Sequence, residues 1–182
     1  MIVAIDIDGP LANLHKEWYA RYNQEYEDTL SVERVTDWAL HKFVKPVCGL
    51  KIYDYLLDPT LYDDVEVEEG AKEAVELLKQ KGNRVIFVSS APAGSCDPKY
   101  RWMIREGFLS SKQRSHEDLV FAYDKSLIRA AILIDDGPHN LEAFQGLSIA
   151  FDTPYNQVVK KPRIYRMKGW KDLPELWEKI YG

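Results

Sequence analysis

Five short apolar runs, each stopping abruptly at acids, hydroxyls or turn residues, limit what this chain can fold into more than any other feature. They are Ile2 to Ile5 with Ile7, Arg84 to Ser89, Leu119 to Ala122, Ala131 to Ile134 and Leu147 to Phe151. Runs this apolar cannot leave one face in water, so they read as strands buried on both sides. Between them lie helical patterns at Ala71 to Lys81, Pro98 to Glu106 and Pro138 to Phe144, closed by Gly82, Gly107 and Gly146. This alternation predicts an α/β fold, a Rossmann-like parallel sheet with helices on both faces.

Residues 13–69 break the rhythm with an aromatic-rich, mostly helical pattern. We read them as a small helical cap inserted after the first strand, leaving 1–12 and 70–182 as the core domain. Trp18, Tyr22 and Tyr26 recur at spacing four and share a helix face. The tail, with Trp170, Leu173, Leu176, Trp177 and Ile180, reads as a last amphipathic helix. A chain of 182 residues with 46% apolar side chains can bury one core without a staple. Cys48 and Cys96 make neither a disulfide framework nor a zinc site, which fits a reducing compartment. No apolar run approaches the roughly 20 residues that span a bilayer, so a soluble, cytoplasmic protein without membrane partners is expected. The net charge of -5 argues against polynucleotide binding through bulk positive charge, and leaves small anionic ligands open. The oligomeric state is not legible.

In an open parallel sheet, ligands bind beyond the carboxyl ends of the strands. Here those ends carry Asp6-Ile7-Asp8-Gly9, Ser89-Ser90, Asp124-Lys125 and Asp135-Asp136-Gly137. Two carboxylates about 4 Å apart repel by ~4 kcal/mol at an effective dielectric of 20, so a cation must accompany them. Oxygen donors without paired thiols point to a hard ion, Mg²⁺ where a phosphate shares the coordination. An acidic metal platform, a hydroxyl and a lysine suit phosphoryl transfer, whose equatorial oxygens need neutralising on several sides.

Asp6-Ile7-Asp8-Gly9-Pro10-Leu11, Val88-Ser89-Ser90, Lys125 and Ile134-Asp135-Asp136 resemble, in chain order, the four motifs of the haloacid dehalogenase superfamily. Lys99-Tyr100-Arg101-Trp102 after the second motif, and Asp124-Lys125 ahead of the acidic pair, are similar to the 5'(3')-deoxyribonucleotidase family. The resemblance implies a phosphatase acting on a phosphomonoester, a 5' or 3' (deoxy)ribonucleoside monophosphate, through an aspartyl phosphate. It implies Asp6 as nucleophile, Asp8 as acid and base, and Ser89, Ser90 and Lys125 on the phosphate. Mg²⁺ is then held by Asp6, the Asp8 carbonyl and one of Asp135 or Asp136, the other acid orienting Lys125. Some members of the family carry an aromatic residue eight positions beyond the nucleophile and some an Arg after the acidic pair, where this chain has Leu14 and Gly137. The favoured base stays open.

Trp38 and Phe43 read either as cap core or as stacking partners for a base. His15, His41, His116 and His139 lack ligand-type spacing and read as surface or capping residues, with His139 set apart by its nearness to the acidic pair. The basic run Lys160, Lys161, Arg163, Arg166, Lys168 and Lys171 reads as a solvated edge. Two rival functions remain: a phosphatase for another metabolite or a nucleic-acid end, and a catalytically idle binding protein of the same fold.

Overall fold

The computed structural model describes residues 1–92, 94–110 and 118–182. Six strands form one parallel sheet: β1 (Ile2–Asp6), β2 (Arg84–Ser89), β3 (Leu119–Phe121), β4 (Ile132–Asp135), β5 (Leu147–Phe151) and β6 (Ile164–Met167), in the order β3-β2-β1-β4-β5-β6. The chain runs outward from β1 on one side and then outward from β4 on the other. The order therefore reverses between β1 and β4, and the carboxyl ends of these two strands border the crevice where such sheets take ligands.

Side chains alternate across the sheet with period two, as a pleated strand requires. Val3 and Ile5 with Val85, Phe87, Ile132 and Ile134 join the larger core cluster, which α2 (Ala71–Gln80), α3 (Cys96–Arg105) and α5 (Leu173–Tyr181) cover. Ala4, Ile86, Val88 and Leu133 face the other way, against Phe144 at the end of α4 (Pro138–Ala143). Helices thus pack on both faces of a Rossmann-like sheet, the expected fold class.

The expected sheet lacked β6, which is set within the basic run. Its residues, Ile-Tyr-Arg-Met, carry no apolar run, because an edge strand is not buried on both sides. Four of the run's six basic residues, Lys160, Arg163, Lys168 and Lys171, are exposed as a solvated edge requires, while Lys161 and Arg166 are half-buried. Arg166 binds Asp152 Oδ1 at 2.7 Å and the Asn156 carbonyl at 2.9 Å, and the Lys161 ammonium reaches Ser148 Oγ at 3.0 Å.

Residues 13–69 hold α1 (Leu14–Tyr26) and, after it, short 3₁₀ turns in place of further α-helix. The segment leaves and returns at one place: the Asn13 amide donates to the Glu66 carbonyl at 2.9 Å and the Glu68 amide to the Leu11 carbonyl at 2.8 Å. Its return leg is bolted to α3, where Trp102 Nε1 donates to the Val65 carbonyl at 2.9 Å and Arg105 to that of Asp63 at 3.0 Å. Trp102 is fully buried and stacks on Phe108. Trp102→Ala is expected to cost about 3–5 kcal/mol in urea unfolding, the range for losing a large buried aromatic.

Candidate active site

Each acid of the site comes from a strand end that the sheet delivers to the crevice. Asp6 ends β1, and its Oδ1 accepts from the Ile7 amide at 2.8 Å. Asp135 ends β4 with no exposed surface. Lys125, 1% exposed, spans the gap, with its ammonium 2.8 Å from Asp6 Oδ1 and 2.7 Å from Asp135 Oδ2. The remaining oxygen of Asp135 is also committed, accepting from the Gly137 amide at 2.7 Å and Asn140 Nδ2 at 3.2 Å.

Asp136 lies beside them and accepts from the Tyr155 hydroxyl. Its close approach depends on Gly9, whose φ of +92° suits glycine and where a Cβ would stand 2.6 Å from Asp136 Oδ2. Among the described residues, one ammonium, that of Lys125, pairs with this group of three buried carboxylates and contacts two of them. Burial, with Asp135 and Asp8 nearby, pushes Asp6 up to about 7 against the pull of Lys125. Burial together with Asp6 and Asp135 carries Asp136 well above the carboxylate range. Burial alone would depress the Lys125 ammonium, yet Asp135 and Asp6 hold it above the usual lysine value. The site is short of positive charge.

Asp6, Asp135 and Asp136 each offer an oxygen within 4.8 Å of the others, a spacing that suits one hard cation. The donor set of carboxylate oxygens fits Mg²⁺, and the excess negative charge is what such an ion would relieve. Asp136 faces the cavity while both Asp135 oxygens are already engaged.

A cavity of about 290 Å³ opens over these groups, and Asp6, Asp8, Lys125 and Asp136 are among its lining residues. Its walls are aromatic: Trp18, Tyr19, Trp38, Tyr53 and Tyr155, with His15 among them. The Trp38 ring, 48% exposed, meets His139 and Tyr155 edge-on at 5.1 and 5.5 Å. Burial lowers His15 to about 4, so near neutral pH the ring is an uncharged imidazole.

The structure brings Asp6, Asp8, Ser90, Lys125, Asp136 and Trp38 to this cavity. Ser89 is fully buried and does not line the cavity, and Phe43 is half-buried against the core rather than lining the wall. His15 is not the surface or capping residue expected, because it sits on the inner side of α1 between Trp18, Tyr19 and Tyr155. His139 lines the cavity too, and His41 packs on Tyr53. His116 is outside the described residues.

Sequence reasoning missed Lys99 and Tyr62. Lys99, 3% exposed, reaches Asp8 Oδ2 at 2.5 Å, Ser89 Oγ at 2.8 Å and the Ser90 carbonyl at 3.2 Å. The Tyr62 hydroxyl donates to the other Asp8 oxygen. One signal was available for Lys99: it stands three and four residues before Trp102 and Met103, on the helix face that α3 buries. A lysine is rarely buried on such a face unless it is paired.

Over residues 1–180 the chain matches the family model described as "5' nucleotidase, deoxy (Pyrimidine), cytosolic type C protein". It is 35% identical over 178 residues to a 5'(3')-deoxyribonucleotidase of Clostridium acetobutylicum, covering 98% of this chain and 95% of that one. It is 30% identical over 174 residues to a 5'(3')-deoxyribonucleotidase of Bacillus subtilis, covering 94% and 95%. Among solved structures it resembles a hydrolase from Pseudomonas syringae (TM-score 0.62, 12% identity, all of both chains). It is equally similar to a haloacid dehalogenase-like hydrolase from Xanthomonas campestris (TM-score 0.62, 14% identity, 99% and 95% covered). These two likenesses concern the fold.

Proposed function

Because the chain belongs to the family of deoxy, cytosolic type C 5'-nucleotidases, we propose that it hydrolyses a 5' or 3' (deoxy)ribonucleoside monophosphate through an aspartyl phosphate. One observation carries the reading: an acid-rich, cation-hungry strand end opens directly into an aromatic-walled cavity. A phosphate fits the first half and a nucleoside the second.

Asp6 attacks phosphorus, forming the acyl phosphate bond as the bond to the sugar oxygen breaks. Asp8 gives its proton to the departing alkoxide, then takes one from the water that hydrolyses the aspartyl phosphate and returns Asp6. Lys125 grips a phosphate oxygen and is aimed by Asp135, while Ser89 and Ser90 close the far side. Asp6, Asp136 and the Asp8 carbonyl would hold Mg²⁺, which when bound would neutralise charge on the phosphate oxygens. Trp38 flanks the base, and residues 13–69 act as the cap that keeps water out. No described helix is long and apolar enough to cross a membrane.

The test is phosphate release from a panel of 5' and 3' ribo- and deoxyribonucleotides beside glycerol phosphate, each with Mg²⁺. At least one nucleotide should exceed glycerol phosphate in kcat/KM by about 100-fold, since remote binding energy is spent at the reacting centre. Equal turnover across the panel would favour a general metabolite phosphatase, and none at all an idle binding protein.

A further inference from the structure

Lys99 is a buried cation that the mechanism above leaves without a task. Its three partners are two parts of the proposed machinery and the backbone beside them: the Asp8 carboxylate, the Ser89 hydroxyl and the Ser90 carbonyl. Asp8 follows β1 and Ser89 ends β2, so the ammonium ties the first strand end to the second. Asp8 is the salt-bridge partner of Lys99 among the described residues. The lysine also lies 5.9 Å from the ring centre of Tyr62, whose hydroxyl holds the other oxygen of Asp8. Asp8 is thus gripped on one side by the core helix α3 and on the other by the return leg of residues 13–69.

We propose that Lys99 is a positioning residue for Asp8, fixing its carboxyl where it can pass a proton to the leaving oxygen while tying Ser89 to the same frame. The inference rests on the reading of Asp8 as acid and base. In the step concerned the phosphorus–oxygen bond to the sugar breaks, and the Asp8 proton passes to the alkoxide that departs. A misplacement of about 1 Å costs such a step roughly 100-fold. A leaving group stable as an anion, such as p-nitrophenolate, departs without that proton, so its loss should be small.

The experiment compares kcat/KM for a deoxyribonucleoside monophosphate and for p-nitrophenyl phosphate, because this ratio covers only the steps through leaving-group departure. Lys99→Met is expected to lower the first by about 100-fold and the second by less than about 5-fold. Added to Asp8→Asn, it should cost less than about 3-fold more on the nucleotide, since the residue it positions has already lost its function. Equal losses on the two substrates would overturn the proposal, as would an undiminished loss in the Asp8→Asn background. Lys99→Gln keeps a donor among the buried partners and, judged by the same ratio, decides the matter if Lys99→Met does not fold. Native protein that releases phosphate from neither substrate would instead overturn the phosphatase reading on which the proposal stands.

Discussion

Asp6→Asn is expected to reduce phosphate release on the order of 10⁴-fold or more, the scale on which removing a nucleophile silences an enzyme. The amide keeps the shape of the carboxylate and can still accept from the Ile7 amide, so the β1 turn should stand. Lys125 keeps Asp135 as its partner at 2.7 Å and is not stranded. The loss should therefore appear with an unchanged circular dichroism spectrum and without phosphorylated protein in acid-quenched mass spectrometry. Full activity in this variant would dismiss Asp6 as nucleophile and the covalent route with it.

Removing divalent metal should be the second large effect. With chelator in excess, turnover should vanish and return on adding Mg²⁺, because among the described residues Lys125 is the one ammonium paired with the cluster of three buried carboxylates. A readout independent of activity is available. Mg²⁺ at 100 times its dissociation constant should add about 2.7 kcal/mol of stability, visible as a higher melting temperature. The sign with pH follows from Asp6, which burial first, then Asp135 and Asp8, raise from 3.8 to about 7. A carboxyl raised on folding binds its proton more tightly in the folded state. Its contribution is complete below about pH 4 and is lost as the pH climbs through about 7. Metal-free protein should accordingly lose stability across that window, and Mg²⁺ should restore it most at the alkaline end. A melting temperature indifferent to Mg²⁺ at pH 8 would contradict the acid cluster as a cation site.

Much of this was legible in the chain. The strands that flank the crevice are buried on both faces, so their runs are apolar without interruption, and the acids that end them stand out by contrast. β6 left no such mark, because an edge strand can be Ile-Tyr-Arg-Met and still pair. Lys99 stands in the segment Lys99-Tyr100-Arg101-Trp102, but a lysine on a helix is ordinarily solvated, and only the packing of α3 shows that this one is not. His15 departs from its expected surface place for a related reason: helix spacing gives a residue's face, not what that face meets. Phe43 and Trp38 were indistinguishable as aromatic residues in one segment, yet Trp38 stands at the cavity wall and Phe43 turns into the core.

The chain by itself determined the α/β architecture and the identity of the acids at the strand ends, since both depend on local pattern: burial period, turn residues and chain order. Only the tertiary structure decided which acid aims Lys125 and which faces the cavity, and what surrounds Asp8. Those choices depend on contacts between residues ten to ninety-one positions apart, such as Lys125 with Asp135 and Lys99 with Asp8. No local pattern encodes such contacts, because the energy of a buried charge is set by whichever partners the fold brings within about 3 Å.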